Sequence, residues 1–430
     1  AEAQEHPESQ SLIICPASLV YNWENELKRF APGLTVQTVT GTAPEREEIL
    51  RIAVQTGMET TQAALKTAVI RHPQILITSY DLLKRDITCY EPFQFRFQVI
   101  DEAQYIKNPL TQSAKSVKLI KAQTRCALTG TPIENRLAEL WSIFDYLMPG
   151  FLFTYSHFRR QFEAPIVKDG DTYALESLRR LTGPFVLRRL KKDVLKDLPD
   201  KLETVVYSMA EDEQKQLYTA HALALKEELE QMSGDTYGSE HIQVLAELTK
   251  LRQICCDPSL CFEDYNGGSA KREACMELIA SAAESGHKML VFSQFTTMLD
   301  RIAERLQKEH IPYFMLTGAT TKQERIRLVT EFNQDETPVF LISLKAGGTG
   351  LNLTAADIVI NFDPWRNTAV QNQATDRVHR IGQTNRVLVY KLIAQNSIEE
   401  NIVKLQEQKA ELAEQILDGD NIGTPFFSRE

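Results

Sequence analysis

The sequence predicts an α/β protein built from two doubly wound parallel-sheet lobes with a helical region between them. Three observations carry that expectation. Short continuous apolar runs, each followed by a segment of helical period, occur in two sets, and such runs are the mark of strands covered on both faces. The stretch between the sets is amphipathic and contains no comparable run. The chain has 430 residues, more than one hydrophobic core usually serves.

Taken in order, the first set comprises Ser11–Cys15 (SLIIC), Ile75–Tyr80 (ILITSY), Phe97–Ile100 (FQVI) and Cys126–Leu128. The middle runs from about Phe151 to Cys261 and holds Gln214–Gln231 and His241–Cys256, both with helical periodicity and no strand expected inside them. A basic segment, Arg188–Lys201 (RRLKKDVLKDLPDK), divides it. Paired glycines in Tyr265–Ala270 (YNGGSA) interrupt both periods and mark a boundary. The second set comprises Met289–Phe292, Tyr313–Leu316, Val339–Leu344, Ile358–Asn361 and Val387–Leu392. Ile398–Leu417 is a final helix, its stripe of Ile398, Ile402, Leu405, Leu412 and Ile416 interrupted by Lys409.

Composition narrows the class. Hydrophobic residues make up 43% and charged residues 25%, the balance of an ordinary globular protein. No apolar run approaches the roughly 20 residues needed to span a bilayer, and the opening AEAQEHPESQ is too polar for a signal peptide. Seven cysteines, an odd number at irregular spacing, argue for a reducing interior rather than a disulfide framework. The net charge of −10 weighs against nucleic acid as a partner. Its distribution reverses that: residues 1–10, 211–247 and 397–430 carry −3, −7 and −5, leaving +5 on everything else. A local basic track matters more to DNA than the chain total.

Four motifs carry chemistry. In Val99–Gln104 (VIDEAQ) an apolar strand ends in two adjacent carboxylates. At the carboxyl edge of a parallel sheet, the first can serve Mg²⁺ and the second can orient a hydrolytic water. An acidic pair opening a solvated loop has the same local sequence. In Ala127–Asn135 (ALTGTPIEN), Thr129 and Thr131 bring hydroxyls to that edge, although Gly130 and Pro132 also suit a plain turn into a helix. Ser343–Asn352 (SLKAGGTGLN) sets three glycines in four positions after a strand, exposing backbone N–H groups to a phosphate or forming a flexible connection. In Gln371–Gln383 (QNQATDRVHRIGQ), Arg377 and Arg380 share a face if the segment is helical, where they could stabilise phosphoryl charge or pair with Asp376. Gln373 and His379 are supporting or exposed residues rather than catalytic ones. Cys255, Cys256 and Cys261 lack zinc spacing and read as structural thiols.

Together these motifs resemble the Swi/Snf-type family of superfamily-two DNA translocases, in order along almost the whole chain. Ser11–Trp23 (SLIICPASLVYNW) and Thr78–Leu82 (TSYDL) are similar to the family's first DNA-contacting motifs. Asp101–Pro109 (DEAQYIKNP) resembles its Walker B motif and Leu128–Arg136 (LTGTPIENR) its third motif, which couples nucleotide and DNA sites. Val291–Phe295 (VFSQF), Ser343–Asn352 and Gln373–Gln383 resemble the fourth to sixth motifs, with Phe362–Trp365 (FDPW) between the last two. Gln104 stands where the family often has His, and Arg366 where a second Trp often follows DPW.

The resemblance implies two RecA-like lobes with ATP·Mg²⁺ between them, helical protrusions, duplex DNA across both lobes, and movement along one strand without strand separation. It implies a first lobe at 1–150, a first protrusion at 151–187, a basic linker at 188–204, a second protrusion at 205–265, a second lobe at 266–396, and a brace helix with tail at 397–430. Asp101 would serve Mg²⁺, Glu102 the water, and Arg377 and Arg380 the phosphate charge. Gln104, Thr129, Gly130, Thr131, Gly348, Gly350 and Gln373 would line or couple the nucleotide site. Ser18, Trp23, Ser79, Arg188, Arg189, Gln294, Phe295 and Lys345 would lie near DNA. A monomer is expected, in bacterial cytoplasm at the nucleoid, or in the nucleus if the host is eukaryotic.

No GxxxxGK[ST] and no Gly-Lys pair occurs in the 430 residues. In the family that phosphate-binding loop precedes the segment matched by Ser11–Trp23, so the expectation is a first lobe cut at its front and a chain nearly inactive in hydrolysis. The alternative expectation is a nucleotide-independent DNA-binding or interaction scaffold. An RNA helicase is the third, disfavoured by the long helical middle.

Overall fold

Parallel pairing organises every strand of this computed structural model, which describes residues 9–58, 73–130, 133, 136–189, 195, 199–231, 239–347, 352–365, 368–380 and 383–417. The chain divides into two units, residues 1–187 with 413–430, and residues 188–412.

In the first unit, β1 (Ser11–Cys15), β2 (Val36–Thr38), β3 (Ile75–Ser79), β4 (Phe95–Ile100) and β5 (Ala122–Ala127) form a sheet of order β2-β3-β1-β4-β5. The continuous apolar run of β1 is explained by its two covered faces. Leu12 and Ile14 enter one core with Leu76, Tyr80 and Phe95, while Ile13 and Cys15 face Ile75, Ile77 and Val20 on the other side. The register pairs Ile14 with both Thr78 and Ile100, so β1, β3 and β4 end side by side and the residues following them share one edge. Helices α1 (Val20–Phe30), α2 (Ala43–Met58), α3 (Tyr80–Arg85), α4 (Gln112–Leu119) and α5 (Leu137–Leu147) connect or follow these strands. Beyond them come α6 (Tyr155–Phe158), two π-helical turns at Arg159–Glu163 and Pro165–Asp169, and α7 (Thr172–Thr182).

In the second unit, β6 (Lys201–Ser208), β7 (Met289–Ser293), β8 (Tyr313–Leu316), β9 (Val339–Ser343), β10 (Ile358–Asn361) and β11 (Val387–Ala394) take the order β6-β11-β10-β7-β9-β8. All residues of β7, β9 and β10 are buried, Met289 and Val291 in one core and Leu290 and Phe292 in the other. The helices are α8 (Asp212–Gln231), α9 (Ser239–Cys256), α10 (Ala270–Glu284), α11 (Thr296–Lys308), α12 (Lys322–Gln334), α13 (Leu344–Gly347), α14 (Thr368–Thr375) and α15 (Ile398–Leu417). The last starts in this unit, and its residues from Ala413 onward belong to the first.

Three expectations need correction. Lys201–Ser208 is a strand paired along its whole length with β11, so the region read as linker and helical protrusion contributes an edge to the second sheet. As an edge strand it exposes most of its residues and has no continuous apolar run, which hid it. Tyr80 and Leu344 open helices rather than closing strands. The helix carrying QNQAT ends at Thr375, so Arg377 and Arg380 sit in the turns beyond it and not on a helical face. Among the described residues no helix is long and apolar enough to cross a membrane.

Candidate functional site

The acid pair lies where a parallel sheet leaves its carboxyl edge open. Asp101 follows β4, and its N–H donates to Ile14 O on the neighbouring strand. Its carboxylate is held at both oxygens: Trp23 Nε1 donates to Oδ2 at 2.8 Å, and the Glu102 N–H donates to Oδ1 at 2.8 Å. The Tyr80 hydroxyl donates to the Asp101 carbonyl at 2.8 Å, and its ring stacks on Tyr105 at 5.1 Å. Backbone and both carboxylate oxygens are thus fixed by three elements of the first unit.

Glu102 has φ 52° and ψ 56°, a left-handed conformation that few non-glycine residues adopt. Such strain persists where surrounding contacts over-determine it, commonly at functional positions. The contacts here are explicit. Gln104 Nε2 donates to Glu102 Oε2 at 2.6 Å, and the Thr129 hydroxyl donates to Gln104 Oε1 at 3.0 Å. The Ala103 N–H donates to Leu128 O, closing the segment onto the strand-to-turn motif of Thr129 and Gly130. Gln104 therefore bridges the second carboxylate and Thr129 within one unit.

Magnesium binds through one or two carboxylates and keeps waters and phosphate oxygens for its remaining positions. Among the described residues no three His, Cys, Asp or Glu side chains gather to make an all-protein site. A single oriented carboxylate at a sheet edge is the donor set such an ion uses with a phosphate ligand, and each Asp101 oxygen keeps a further lone pair. Nearby, burial and then the Asp101 charge push the Cys15 thiol up to about 12, so it is a protonated core residue and not a nucleophile.

The expected DNA-facing residues divide. Ser18 is exposed in the turn before α1, and Arg188 and Arg189 are exposed. Ser79 is only 2% exposed, and its hydroxyl accepts the Leu82 N–H as the cap of α3, so it presents no side chain to a ligand. Trp23 is half-buried and gives its N–H to Asp101, which ties it to the acid pair. Thr131, Gly348 and Gly350 lie outside the described residues, as does the side chain of Lys345 and most of the basic segment 190–198.

In the second unit a different cluster organises the SQF and DPW segments. The Ser293 hydroxyl donates to Asp363 Oδ1 at 2.5 Å, and the Gln294 N–H donates to the same oxygen at 3.2 Å. Arg252 of α9 donates to Pro364 O at 2.7 Å and lies 5.8 Å from the Phe295 ring centroid. Gln406 of α15 donates to Trp365 O. Beneath them, Lys271 and Glu399 are 1% and 0% exposed and paired at 2.8 Å. Burial works to lower the Lys271 pKa, but Glu399 and neighbouring acidic groups outweigh it and hold the amine charged. Burial pushes the Asp363 carboxyl up, against the pull of Lys271 and the Ser293 hydroxyl. Gln373 and Arg377 are half-buried, Arg380 is exposed, and His379 Nε2 donates to Pro199 O at 2.7 Å.

Tyr80, Arg252, Lys271, Asp363 and Glu399 were missed as contributors. Tyr80 sits inside the TSYDL motif and Asp363 inside FDPW, so both were visible there; nothing in spacing pointed to the other three.

An acid pair on the carboxyl edge of a parallel sheet stands where open α/β sheets bind ligands. The SNF2-related domain matches residues 2–260, and the helicase conserved C-terminal domain matches residues 270–382. An uncharacterised ATP-dependent helicase of Mycoplasma pneumoniae is 38% identical over 415 residues, which is 96% of this chain and 38% of that protein. The putative ATP-dependent helicase/translocase YwqA of Bacillus subtilis is 36% identical over 97% of this chain and 44% of its own length. A solved Sulfolobus solfataricus SWI2/SNF2 ATPase core in complex with dsDNA is 34% identical, covering 97% of this chain and 88% of that chain, with a TM-score of 0.42. The chain belongs to the SNF2-related family of superfamily-two ATPases. It spans less than half the length of the two bacterial relatives.

Proposed function

We propose that the chain is the core of an ATP-driven translocase on duplex DNA. The observation that carries this reading is the hydrogen-bonded array at the first sheet's edge, in which Trp23 holds Asp101 and Thr129 holds Glu102 through Gln104. An oriented first carboxylate suits a metal ligand, and an oriented second one suits a residue that directs water at a phosphoryl group. Mg²⁺, when bound, would neutralise charge on the nucleotide's phosphate oxygens. Asp101 holds its position through the Trp23 and Glu102 N–H groups. Glu102 keeps its direction through Gln104, so a change at Thr129 is felt at the carboxylate that orients water. In this reading Arg377 and Arg380 of the second unit act on the phosphate charge. Ser18, Arg188, Arg189, Gln294, Phe295 and Lys345 act on duplex DNA.

The 430 residues contain no GxxxxGK[ST], and a phosphoryl-transfer site without that backbone cradle and lysine loses most of its rate. Slow hydrolysis by this chain therefore belongs to the proposal. The second reading is a DNA-binding scaffold that does not use nucleotide. One experiment separates them: duplex-DNA affinity over a salt series, with and without an ATP analogue and Mg²⁺, alongside phosphate release by wild type and Glu102→Gln. The motor reading expects affinity that falls linearly on a log–log salt plot, shifts with nucleotide, and residual phosphate release abolished by Glu102→Gln. Salt-dependent binding indifferent to nucleotide, with no release, supports the scaffold. No duplex binding at low salt overturns both.

A further inference from the structure

The first unit carries a second concavity remote in sequence from the acid pair. A cleft of about 360 Å³ opens between Arg136, at the head of α5, and the segment from Tyr155 to Lys168. One wall is π-helical, Arg159–Glu163 followed by Pro165–Asp169. Wide turns of this kind are rare and concentrate at functional sites. Three cations line the cleft, Arg136, Arg159 and Lys168, against a single carboxylate, Glu163. That carboxylate is already engaged, since the Tyr155 hydroxyl donates to its Oε2 at 3.0 Å. Burial and the Glu163 bond push the Tyr155 phenol up, while the charges of Arg159 and Arg136 act on it in the opposite sense, which places both guanidinium groups within electrostatic reach of the ring. Among the described residues none of the three cations makes an ion pair. Val167 lies on the same lining and is 58% exposed.

Three cations without an ion pair among the described residues, around an aromatic and aliphatic floor, have a definite complement. A site for a phosphate group converges N–H donors on one anion and keeps carboxylates out, whereas Glu163 stands inside this cleft. A duplex backbone calls for an open, uniformly positive track. A peptide with acidic side chains spaced around an apolar one satisfies cations and floor together. We propose that this cleft is a docking site for an acidic peptide segment of a partner protein, its carboxylates on Arg136, Arg159 and Lys168 and an apolar side chain against Tyr155 and Val167. The proposal does not rest on the nucleotide chemistry proposed above.

Fluorescence anisotropy with the whole chain tests it. The probe is a short fluorescein-labelled peptide of alternating Asp and Glu around a central Phe-Leu pair, and the control peptide carries Lys at every acidic position. Expected are binding of the acidic probe at about 50 mM salt and weakening as salt rises. Expected also are no binding of the control, and a loss of at least about tenfold in Arg159→Glu/Lys168→Glu. Val167→Asp supplies a second variant that leaves the cations in place and weakens the probe by repulsion. All three positions are exposed, so unchanged thermal melts show that the variants fold. Duplex-DNA affinity is expected to be the same in wild type and double variant. Absence of probe binding, an undiminished affinity in the double variant, or an equal loss of DNA affinity with displacement of the probe by duplex would each overturn the proposal.

Discussion

Replacing Lys271 by Met removes one charge from the most deeply buried ion pair among the described residues of the second unit. Lys271 Nζ lies 2.8 Å from both Glu399 oxygens, with the two side chains 1% and 0% exposed. Glu399 also accepts the Ala394 N–H at 2.8 Å, and the Lys271 amine lies 5.1 Å from the centroid of the Phe362 ring. Methionine keeps the length of the stem, so the variant isolates the charge from the packing. It leaves Glu399 buried with a single N–H donor among the described residues, and breaking a buried pair in this way costs about 3–5 kcal/mol. In a unit of this size each kcal/mol moves Tm by about 2–4 °C, giving a fall of roughly 6–20 °C in that unit's transition.

The sign of the pH dependence follows from the same geometry. Burial already pushes the Glu399 carboxyl up, and the Lys271 charge is the largest influence against it. Without Lys271 the folded state keeps a proton on Glu399 at pH values where the unfolded chain, near its ordinary value of about 4.3, has released it. A group raised in this way stabilises fully below the unfolded pKa and loses that contribution as pH rises through the folded one. The deficit of Lys271→Met against wild type should therefore grow between pH 5 and pH 8. Adding Glu399→Gln should remove the pH dependence and recover part of the loss. Circular-dichroism melts and urea titrations across that range measure both effects. A deficit below about 1 kcal/mol, the scale of an exposed pair, would refute the reasoning, as would one that does not change with pH.

Three further outcomes follow from other contacts. Trp23→Phe removes the only side-chain donor to Asp101 Oδ2 among the described residues and should lower stability by about 1.5–3 kcal/mol; the urea midpoint reads this, and a double-mutant cycle with Asp101→Asn should be non-additive by at least about 0.5 kcal/mol. Arg252→Lys keeps the charge but gives up the planar guanidinium over Phe295 and the bond to Pro364 O, and should cost about 1 kcal/mol in the same measurement. Burial pushes the thiols of Cys15, Cys255 and Cys275 up to about 12, so they stay protonated in the folded chain while unfolded thiols ionise near 9. Stability should then fall as pH rises above 9, by on the order of 1 kcal/mol per thiol per unit, and none of the three should react with a thiol reagent at pH 8 before unfolding.

What the sequence made legible was the backbone frame of each lobe. Buried parallel strands need apolar residues on both faces, so SLIIC, ILITS, MLVFS, VFLIS and IVIN stand out without any partner being known. Because parallel strands run in register to a common edge, the residues following them are brought together by topology alone. That is why Asp101, Glu102 and Thr129 could be assigned to one site. Edge strand β6 failed the same test, since most of its residues are exposed and it carries no such run.

Side-chain commitments were not legible, because they depend on where a neighbouring element stops rather than on period. Ser79 and Trp23 illustrate this in opposite directions. Ser79 falls at the point where β3 turns directly into α3, so its hydroxyl satisfies a helix N–H that would otherwise be orphaned. Trp23 lies one turn into α1, and its N–H meets the carboxylate of Asp101, the residue that follows β4. Two residues expected near DNA thus carry hydrogen bonds within the first unit, Ser79 to the Leu82 N–H and Trp23 to Asp101. If the Trp23 bond holds the Asp101 carboxylate in place, a change in α1 must alter that carboxylate even when no DNA is present. The double-mutant cycle reads that connection directly, since coupling between Trp23 and Asp101 without DNA has no explanation in a purely DNA-contacting tryptophan.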